Sequence, residues 1–368
     1  MHPIYLDHNA SAPLRPEALR AMAEALAQLP GNASSAHAFG AAARAALANA
    51  RRQIAELCGV APDTLVLTSG ATEANNTVLR SAHGRIVTAA TEHPSVLEAA
   101  PGATVLAVER DGRLDPARFA AALDGAVLAS VQLANQETGV LQPIAELAEL
   151  AAARGVPLHV DAAQALGKLP LDLRALPVAY ASLSAHKLGG PKGVGALYVR
   201  PGAELGPLLR GGSQERGRRA GTENVAGAAG FGAACAAAGA ELAAVPARLG
   251  RLRDALWGAI ARSIPDVVRN GSPVHVLPHV LDVAFPGASG EALVEALDLE
   301  GIAVSSGSAC HSGSHEPSPV LLAMGAPVEL ARAALRFSFG PSNDAAQLAQ
   351  VCATLPAVVA RVRRAWAA

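Results

Sequence analysis

Aromatic side chains make up only 3% of this 368-residue chain, and charged side chains only 17%. Thirty basic against 31 acidic residues leave a formal net charge of −1, which provides no polybasic face for a nucleic acid or an anionic membrane. Uninterrupted apolar runs are also missing, since none approaches the roughly 20 residues that a membrane-spanning helix needs. We therefore expect neither nucleic acid nor membrane as a partner.

Cysteine is equally scarce. Cys58, Cys235, Cys310 and Cys352 lie far apart, without a CxxC pair or zinc-ligand spacing, so the sequence indicates neither a disulfide framework nor a metal site. Three of them lie in helical or apolar surroundings typical of a core, whereas the small, Ser/Gly-rich residues around Cys310 favour exposure and reach. The N-terminus lacks the pattern of a secretory signal, so we expect a cytoplasmic protein.

Short apolar strands alternate with alanine-rich helices through the first two thirds of the chain. Strands are predicted at residues 64–68, 85–88, 126–133, 157–160, 179–183 and 195–199. This alternation predicts an α/β fold with a mostly parallel sheet that is covered on both faces.

A second pattern begins after about Val245. Helices at 249–260 and 291–299 and strands at 279–285 and 334–339 predict a smaller α+β domain, and residues 225–244 predict an Ala/Gly-rich helix suited to tight packing. We expect a large domain at 17–245 and a small domain formed by 1–16 and 246–368.

Polar motifs follow three of the predicted strands. Residues 68–73, Thr-Ser-Gly-Ala-Thr-Glu, open a helix and suit either an anion site or an ordinary helix cap. Asp161 ends an apolar strand, where it either meets a compensating partner or caps the next helix. Residues 184–187, Ser-Ala-His-Lys, end another strand, and open α/β sheets bind ligands at that edge.

Together these motifs meet the needs of pyridoxal 5′-phosphate (PLP). This cofactor requires a Schiff-base lysine, an acid at its pyridine nitrogen, a phosphate site and a flat partner for its ring. The candidates are Lys187 for the Schiff base, Asp161 for the nitrogen, His93 for the ring, and Ala71, Thr72, Ser184 and His186 for the phosphate.

Several of these motifs occur in fixed order and resemble those of a known family. Residues 68–73, 161–164 (Asp-Ala-Ala-Gln), 184–187 and 305–310 (Ser-Ser-Gly-Ser-Ala-Cys) are similar to motifs of the NifS/IscS-type cysteine desulfurases, within the class-V aminotransferases. The resemblance runs nearly end to end, from residues 5–10 to residues 335–338. It implies the PLP-dependent transferase fold and a homodimer.

The resemblance also implies an activity and a set of residue roles. The enzyme would take sulfur from L-cysteine, leave L-alanine, hold the sulfur as a persulfide and pass it to a protein acceptor. By matched motif, Cys310 carries the persulfide, Lys187 forms the Schiff base, and His93 stacks on the ring and acts as a base. The residues that contact the ring are Asp161, Gln164 and Gln136, and those that bind the substrate are Arg336 and Asn9. The phosphate is held by Ala71, Thr72, Ser184 and His186, together with Thr222 of the other subunit.

Some positions depart from the family pattern. Gln136 replaces the usual second Asn of an Asn-Asn-Glu motif, which adds a methylene to the contact expected with the ring oxygen. The sequence ends at Ala368 without the longer tail with which housekeeping members dock an iron–sulfur scaffold, so the acceptor stays open between such a scaffold and a thiolation enzyme.

Two alternatives to the desulfurase remain at this point. A selenocysteine lyase or another carbon–sulfur lyase of class V would need Lys187 but no persulfide at Cys310. A catalytically idle homologue would serve as a scaffold for sulfur-transfer proteins. The joint presence of Lys187, Asp161, His93, Cys310 and Arg336 argues against the idle scaffold.

Overall fold

The computed structural model describes residues 3–306 and 316–366, which contain thirteen strands and twelve α-helices. The strands are β1 Ile4–Tyr5, β2 Leu65–Thr68, β3 Arg85–Ala89, β4 Thr104–Leu106, β5 Ala126–Gln132, β6 Leu158–Asp161, β7 Tyr180–Ser184, β8 Gly195–Val199, β9 Val268–Arg269, β10 Val280–Ala284, β11 Ile302–Ala303, β12 Ser305–Ser306 and β13 Ala334–Ser338. The helices are α1 Pro16–Gln28, α2 Ala38–Cys58, α3 Ala71–Ser81, α4 Pro94–Leu97, α5 Pro116–Ala122, α6 Ile144–Ala152, α7 Val225–Glu241, α8 Val245–Ser263, α9 Gly290–Asp298, α10 Pro319–Ala323, α11 Val328–Arg332 and α12 Ala345–Trp366.

Seven strands form one large sheet in the order β2-β8-β7-β6-β5-β3-β4. β8 runs antiparallel to both of its neighbours, while β7, β6, β5, β3 and β4 are mutually parallel. Every residue of β6, β7 and β8 is buried, because helices cover both faces of the sheet. Strands that are covered on both faces need no alternation of polar and apolar residues. The predicted α/β fold class is confirmed, and each predicted strand of this region exists within two residues of its expected limits.

The Ala/Gly-rich helix α7 packs against α1 and α2 on one side of the large sheet. A Cβ placed on Gly230 would come within 2.5 Å of the Met22 side chain, and one on Gly232 within 2.7 Å of the Ala50 Cα. Only glycine allows such an approach, so the predicted tight packing of this helix is confirmed.

The predicted helix at 225–244 is three residues too long. α7 ends at Glu241, α8 begins at Val245, and the two helices meet at an angle of 74°. Pro246 lies in the first turn of α8, where its fixed φ and missing N–H favour the start of a new helix over continuation of the old one. The chain turns here toward the second part of the molecule.

A four-stranded antiparallel sheet, β12-β13-β10-β9, forms the centre of that second part. Its core draws on α8, α9 and α12 and also on Ile4 and Leu6, because β1 pairs in parallel with β11. The N-terminal residues thus pack with the last third of the chain. The division into domains at 17–245 and at 1–16 with 246–368 stays a prediction.

One helix in the described residues, α12, is long and apolar enough to cross a membrane, and the bent pair α7 and α8 meets the same criterion only if it is counted as one span. α12 packs against α8 and α9. Its buried face consists of Val351, Leu355, Val358, Val359 and Val362. This packing accounts for its apolar composition as that of a core helix.

Candidate active site

A cavity of about 570 Å³ lies at the carboxyl edge of the large sheet, where ligands bind in open α/β folds. Strands β5, β6 and β7 each end in a residue that lines it, namely Gln132, Asp161 and Ser184. The predicted site residues that line it are Asn9, Ala71, Thr72, His93, Gln136, Asp161, Gln164, Ser184, His186, Lys187 and Arg336. The structure therefore brings together all but two of the predicted residues.

Lys187 lies in a short 3-10 turn directly after β7. Its Nζ donates hydrogen bonds to the backbone oxygens of Asn9 at 2.6 Å and Ala10 at 3.0 Å. The neighbouring His186 has its Nδ1 3.3 Å from the Ser11 hydroxyl oxygen. Burial, followed by the charge of Lys187, lowers the pKa of His186 to about 4, so this ring is neutral at neutral pH.

Asp161 is buried at the end of β6, and both of its carboxylate oxygens accept hydrogen bonds. Oδ1 accepts from the Ala163 amide at 3.0 Å, and Oδ2 accepts from Asn75 Nδ2 at 2.8 Å. The same Asn75 nitrogen donates to the Ser95 hydroxyl at 2.9 Å. Sequence reasoning missed Asn75, although an Asn on the buried face of a predicted helix needs partners and could have signalled this contact.

His93 is the residue before α4, where its ring caps that helix. Its Nδ1 accepts the Ser95 amide hydrogen at 3.1 Å and lies 2.8 Å from the Ser95 hydroxyl. Burial lowers the pKa of His93, and the charge of Asp161 opposes this shift while that of Lys187 adds to it. Because Nδ1 serves as an acceptor, the neutral ring carries its proton on Nε2.

The start of α3 has the properties of an anion site. Its N-cap is Gly70, with φ +152° and no side-chain cap, and nothing lies within 4 Å of the position that a Cβ would take. Neither Ser69 nor Thr72 caps the helix, so the structure disfavours the ordinary capping interpretation. The amides of Ala71 and Thr72 lie in the first turn, where no intrahelical acceptor exists, and Ser184 lines the same cavity.

Arg336, on β13, reaches the cavity from the smaller sheet. Its Nη2 forms an ion pair with Asp7 Oδ1 at 2.6 Å, and its Nη1 donates to the backbone oxygen of Gln136 at 2.9 Å. Nε is buried and finds no partner among the described residues. Asn9 Nδ2 donates to the same Gln136 oxygen at 3.1 Å. Asp7 is a second residue that sequence reasoning missed.

Two predicted residues are not placed in this cavity. Thr222 is exposed and does not line it, while Cys310 lies outside the described residues. Ser305, near the end of the described range 3–306, pairs with Arg336 of β13. Ser318, near the start of the described range 316–366, donates a hydrogen bond to Glu137, the neighbour of Gln136.

Comparison with known proteins gives a consistent result. The model of the family "Aminotransferase class-V" matches residues 4–351. A curated "Cysteine desulfurase" of Cereibacter sphaeroides is 46% identical over 99% of this chain and 97% of its own length. Among solved structures, a "NifS-like protein" superposes with a TM-score of 0.91 at 31% identity and covers 98% of this chain and 100% of its own. One described as "SspA in complex with cysteine" has a TM-score of 0.80 at 30% identity and covers 93% of this chain and 100% of its own.

Proposed function

This chain belongs to the class-V aminotransferases and among them to the cysteine desulfurases, and from that premise we propose that it binds PLP and transfers the sulfur of L-cysteine through Cys310. The observation that carries the proposal is the convergence of Lys187, Asp161 and His93 with the first turn of α3 on one cavity. Within the described residues, no group of three or more His, Cys, Asp or Glu side chains could hold a metal ion.

The residues around the cavity fit PLP in both chemistry and space. A buried carboxylate, Asp161, suits a protonated pyridine nitrogen, and Gln164 and Gln136 offer amides to the ring oxygen. The open space at Gly70 and the amides of Ala71 and Thr72 would receive the phosphate, with Ser184 and His186 beside it. When bound, PLP supplies a carbonyl for the substrate amine and a ring that withdraws electrons from the substrate Cα.

Lys187 is the amine that we assign to the chemistry, and it lines the cavity. Asn9 and Ala10 hold its Nζ through their backbone oxygens, so it is oriented before substrate arrives. Because the neutral His93 ring carries its proton on Nε2, that nitrogen can donate a hydrogen bond but cannot accept a proton, and removal of the Cα proton falls to Lys187. This proposal gives to Lys187 the role of base that the family resemblance implied for His93.

We assign the substrate carboxylate to Arg336, which lines the cavity. Guanidinium matches a carboxylate with two parallel hydrogen bonds, and the buried Nε of Arg336 lacks an acceptor among the described residues. The ion pair with Asp7 Oδ1 holds the guanidinium in position. Asn9, whose Nδ2 donates beside it, adds a neutral donor near the same substrate group.

The sulfur-transfer step assigns the reactive thiolate to Cys310. Its sulfur attacks the substrate sulfur, an S–S bond forms, the substrate Cβ–S bond breaks, and Cβ keeps that electron pair and takes up a proton. The products are L-alanine and the Cys310 persulfide. The alternatives Cys58 and Cys235 are buried, and burial raises the pKa of the Cys58 thiol to about 12, which disfavours a thiolate there.

The proposal includes a homodimer in the cytoplasm, with a protein sulfur acceptor and neither nucleic acid nor membrane as a partner. The exposure of Thr222 away from its own cavity supports a dimer in which Thr222 reaches the partner's phosphate site. The near-neutral net charge agrees with a protein acceptor bound through specific contacts.

Lys187→Ala and Cys310→Ser test the proposal together. With PLP added, the wild type should show a visible absorbance band and release alanine from L-cysteine. Lys187→Ala should lose both, whereas Cys310→Ser should keep the band and its response to L-cysteine but release almost no alanine. Mass mapping should find the added sulfur on the Cys310 peptide. Sulfur on Cys58, Cys235 or Cys352, or normal turnover by Cys310→Ser, would favour the carbon–sulfur lyase.

A further inference from the structure

Lys168 is a lysine that none of the motifs above includes. It lies four residues after Gln164, in the turns between β6 and β7, and its partly buried side chain borders a second cavity of about 450 Å³. Burial lowers the pKa of its amine well below the ordinary value, and the charges of Lys187 and Arg336 act in the same direction. None of the ion pairs of the described residues includes it. Such a costly placement calls for a function.

Both hydrogen bonds of the Lys168 amine go to side-chain amide oxygens. Nζ donates to Gln164 Oε1 at 3.0 Å and to Asn9 Oδ1 at 3.4 Å. The Asn9 oxygen also accepts from His279 Nε2 at 2.8 Å. His279 is buried, and its Nδ1 has no partner among the described residues. The Nε2 contact with Asn9 Oδ1 is therefore the hydrogen bond that fixes this ring.

These contacts fix which end of each amide faces the cavity. An amide can turn over and exchange its oxygen for its NH₂ group, but a lysine amine next to it selects the oxygen when it donates. With Oε1 bound to Lys168, Gln164 directs Nε2 to the Asn9 backbone oxygen at 3.1 Å. With Oδ1 bound to Lys168 and His279, Asn9 directs Nδ2 to the Gln136 backbone oxygen at 3.1 Å.

The same acceptors contact the residues expected to do the chemistry. The Asn9 backbone oxygen that accepts from Gln164 also accepts from Lys187 Nζ at 2.6 Å. The Gln136 oxygen that accepts from Asn9 also accepts from Arg336 Nη1 at 2.9 Å. The contacts of Lys168 therefore extend through one amide on each side to the reacting amine and to the carboxylate-binding guanidinium.

We propose that Lys168 is a positioning residue, which holds the Gln164 and Asn9 amides with their N–H groups toward cofactor and substrate. The proposal rests on the desulfurase function and adds to it. Gln164 Nε2 carries a second hydrogen that can be donated to the ring oxygen of bound PLP. Without Lys168, both amides can turn over and present oxygens to a cavity that needs donors.

Lys168→Met removes the donor and keeps most of the volume. In the PLP-loaded enzyme, the pH midpoint of the visible absorbance band should rise by about one unit, since loss of a hydrogen-bond donor to the ring oxygen destabilises its anion. With L-cysteine, kcat/KM should fall about tenfold. Arg200→Met is the matched control, because Arg200 donates to the Leu176 backbone oxygen at the opposite edge of the sheet.

Two further comparisons separate positioning from a structural role. In a Gln164→Leu background, Lys168→Met should shift the midpoint by less than half as much, because the amide it orients is gone. If Lys168→Met does not fold, Lys168→Arg, which only donates, is compared with Lys168→Gln, which can turn over. We expect Lys168→Arg to keep the wild-type midpoint and Lys168→Gln to shift it.

Any one of three outcomes would overturn the positioning role. The midpoint shifts of Lys168→Met and Gln164→Leu could simply add in the double variant, or Lys168→Arg and Lys168→Gln could have equal midpoints. The third outcome is a Lys168→Met enzyme with the wild-type spectrum. A wild-type enzyme that binds no PLP or releases no alanine from L-cysteine would instead overturn the proposed function. The two failures are distinguished because the second is seen before any variant is made.

Discussion

Glu137 is a buried carboxyl whose ionisation couples folding to pH. Burial raises its pKa to about 8, the Ser318 hydrogen bond and Arg336 oppose this, and Asp282 adds to it. In the unfolded chain a glutamate titrates near 4.5. Between these values the folded protein holds a proton that the unfolded chain has lost, so the free energy of unfolding falls as pH rises from about 4.5 to 8.

Glu137→Gln should remove this dependence. Relative to the wild type, the variant should gain stability as pH rises through that window, by up to about 1.4 kcal/mol per pH unit. Urea unfolding of both proteins at pH 5, 6, 7 and 8 measures the difference. Glu329→Gln, at an exposed glutamate, is the control and should follow the wild type. A difference that is constant with pH would show that Glu137 does not titrate there.

For single residues, the sequence predicted most of those that line the cavity but not the residues that contact them. Lys187 and Asp161 were found because each lies at the end of a predicted strand, and His93 because PLP needs a flat partner for its ring. Asn75 and Lys168 were missed because each lies in an ordinary-looking stretch, where spacing does not say which side chain it meets. Their roles depend on contacts between elements far apart in the sequence.

The junction between β2 and α3 is the element on which the proposed anion site depends. Gly70 holds φ +152° there, a conformation that residues with a Cβ rarely adopt, although the space around it is open. Substitution at this position therefore strains the backbone without causing a clash. Strain at the junction would tilt the first amides of α3 away from the cavity.

Gly70→Ala should lower the free energy of unfolding by about 1–2 kcal/mol and weaken PLP binding about tenfold. Chemical denaturation and equilibrium titration with PLP measure the two effects. Gly239→Ala is the control, since Gly239 is exposed in α7 with only Leu57 Cδ1 at 3.6 Å from an added Cβ. That change should stabilise the protein by about 0.5–1 kcal/mol. Unchanged PLP affinity in Gly70→Ala would remove α3 from the phosphate site.

Element limits in the large sheet were predictable because fully buried strands appear as short apolar runs. The break between α7 and α8 was predicted near residue 245, but the end of α7 was placed three residues late, since alanine continues to Ala244 and the proline of the new helix comes only at residue 246. The pairing of β1 with β11 was also beyond reach, because two-residue strands leave no periodic pattern.

For the whole molecule, the proposed contact of the exposed Thr222 with the partner's phosphate site predicts that assembly and cofactor retention are linked. We expect a dimer at micromolar concentration, and we expect Thr222→Val, which loses the hydroxyl but keeps the volume, to release PLP faster. Light scattering and the decay of the visible band during dialysis measure these properties. Ser213→Ala, an exposed hydroxyl of the same loop, should behave as the wild type. A fully active monomer would contradict the prediction.

The pairing of the N-terminal segment with the end of the chain has a consequence for biosynthesis. The backbone N–H of Asn9 donates to the hydroxyl of Ser338, which lies 329 positions later in the chain, and β1 pairs with β11. On the ribosome the first ten residues must therefore wait until nearly the entire polypeptide has emerged. Lys187 gains its backbone acceptors only then, so a nascent chain cannot assemble a competent catalytic centre before synthesis is almost complete.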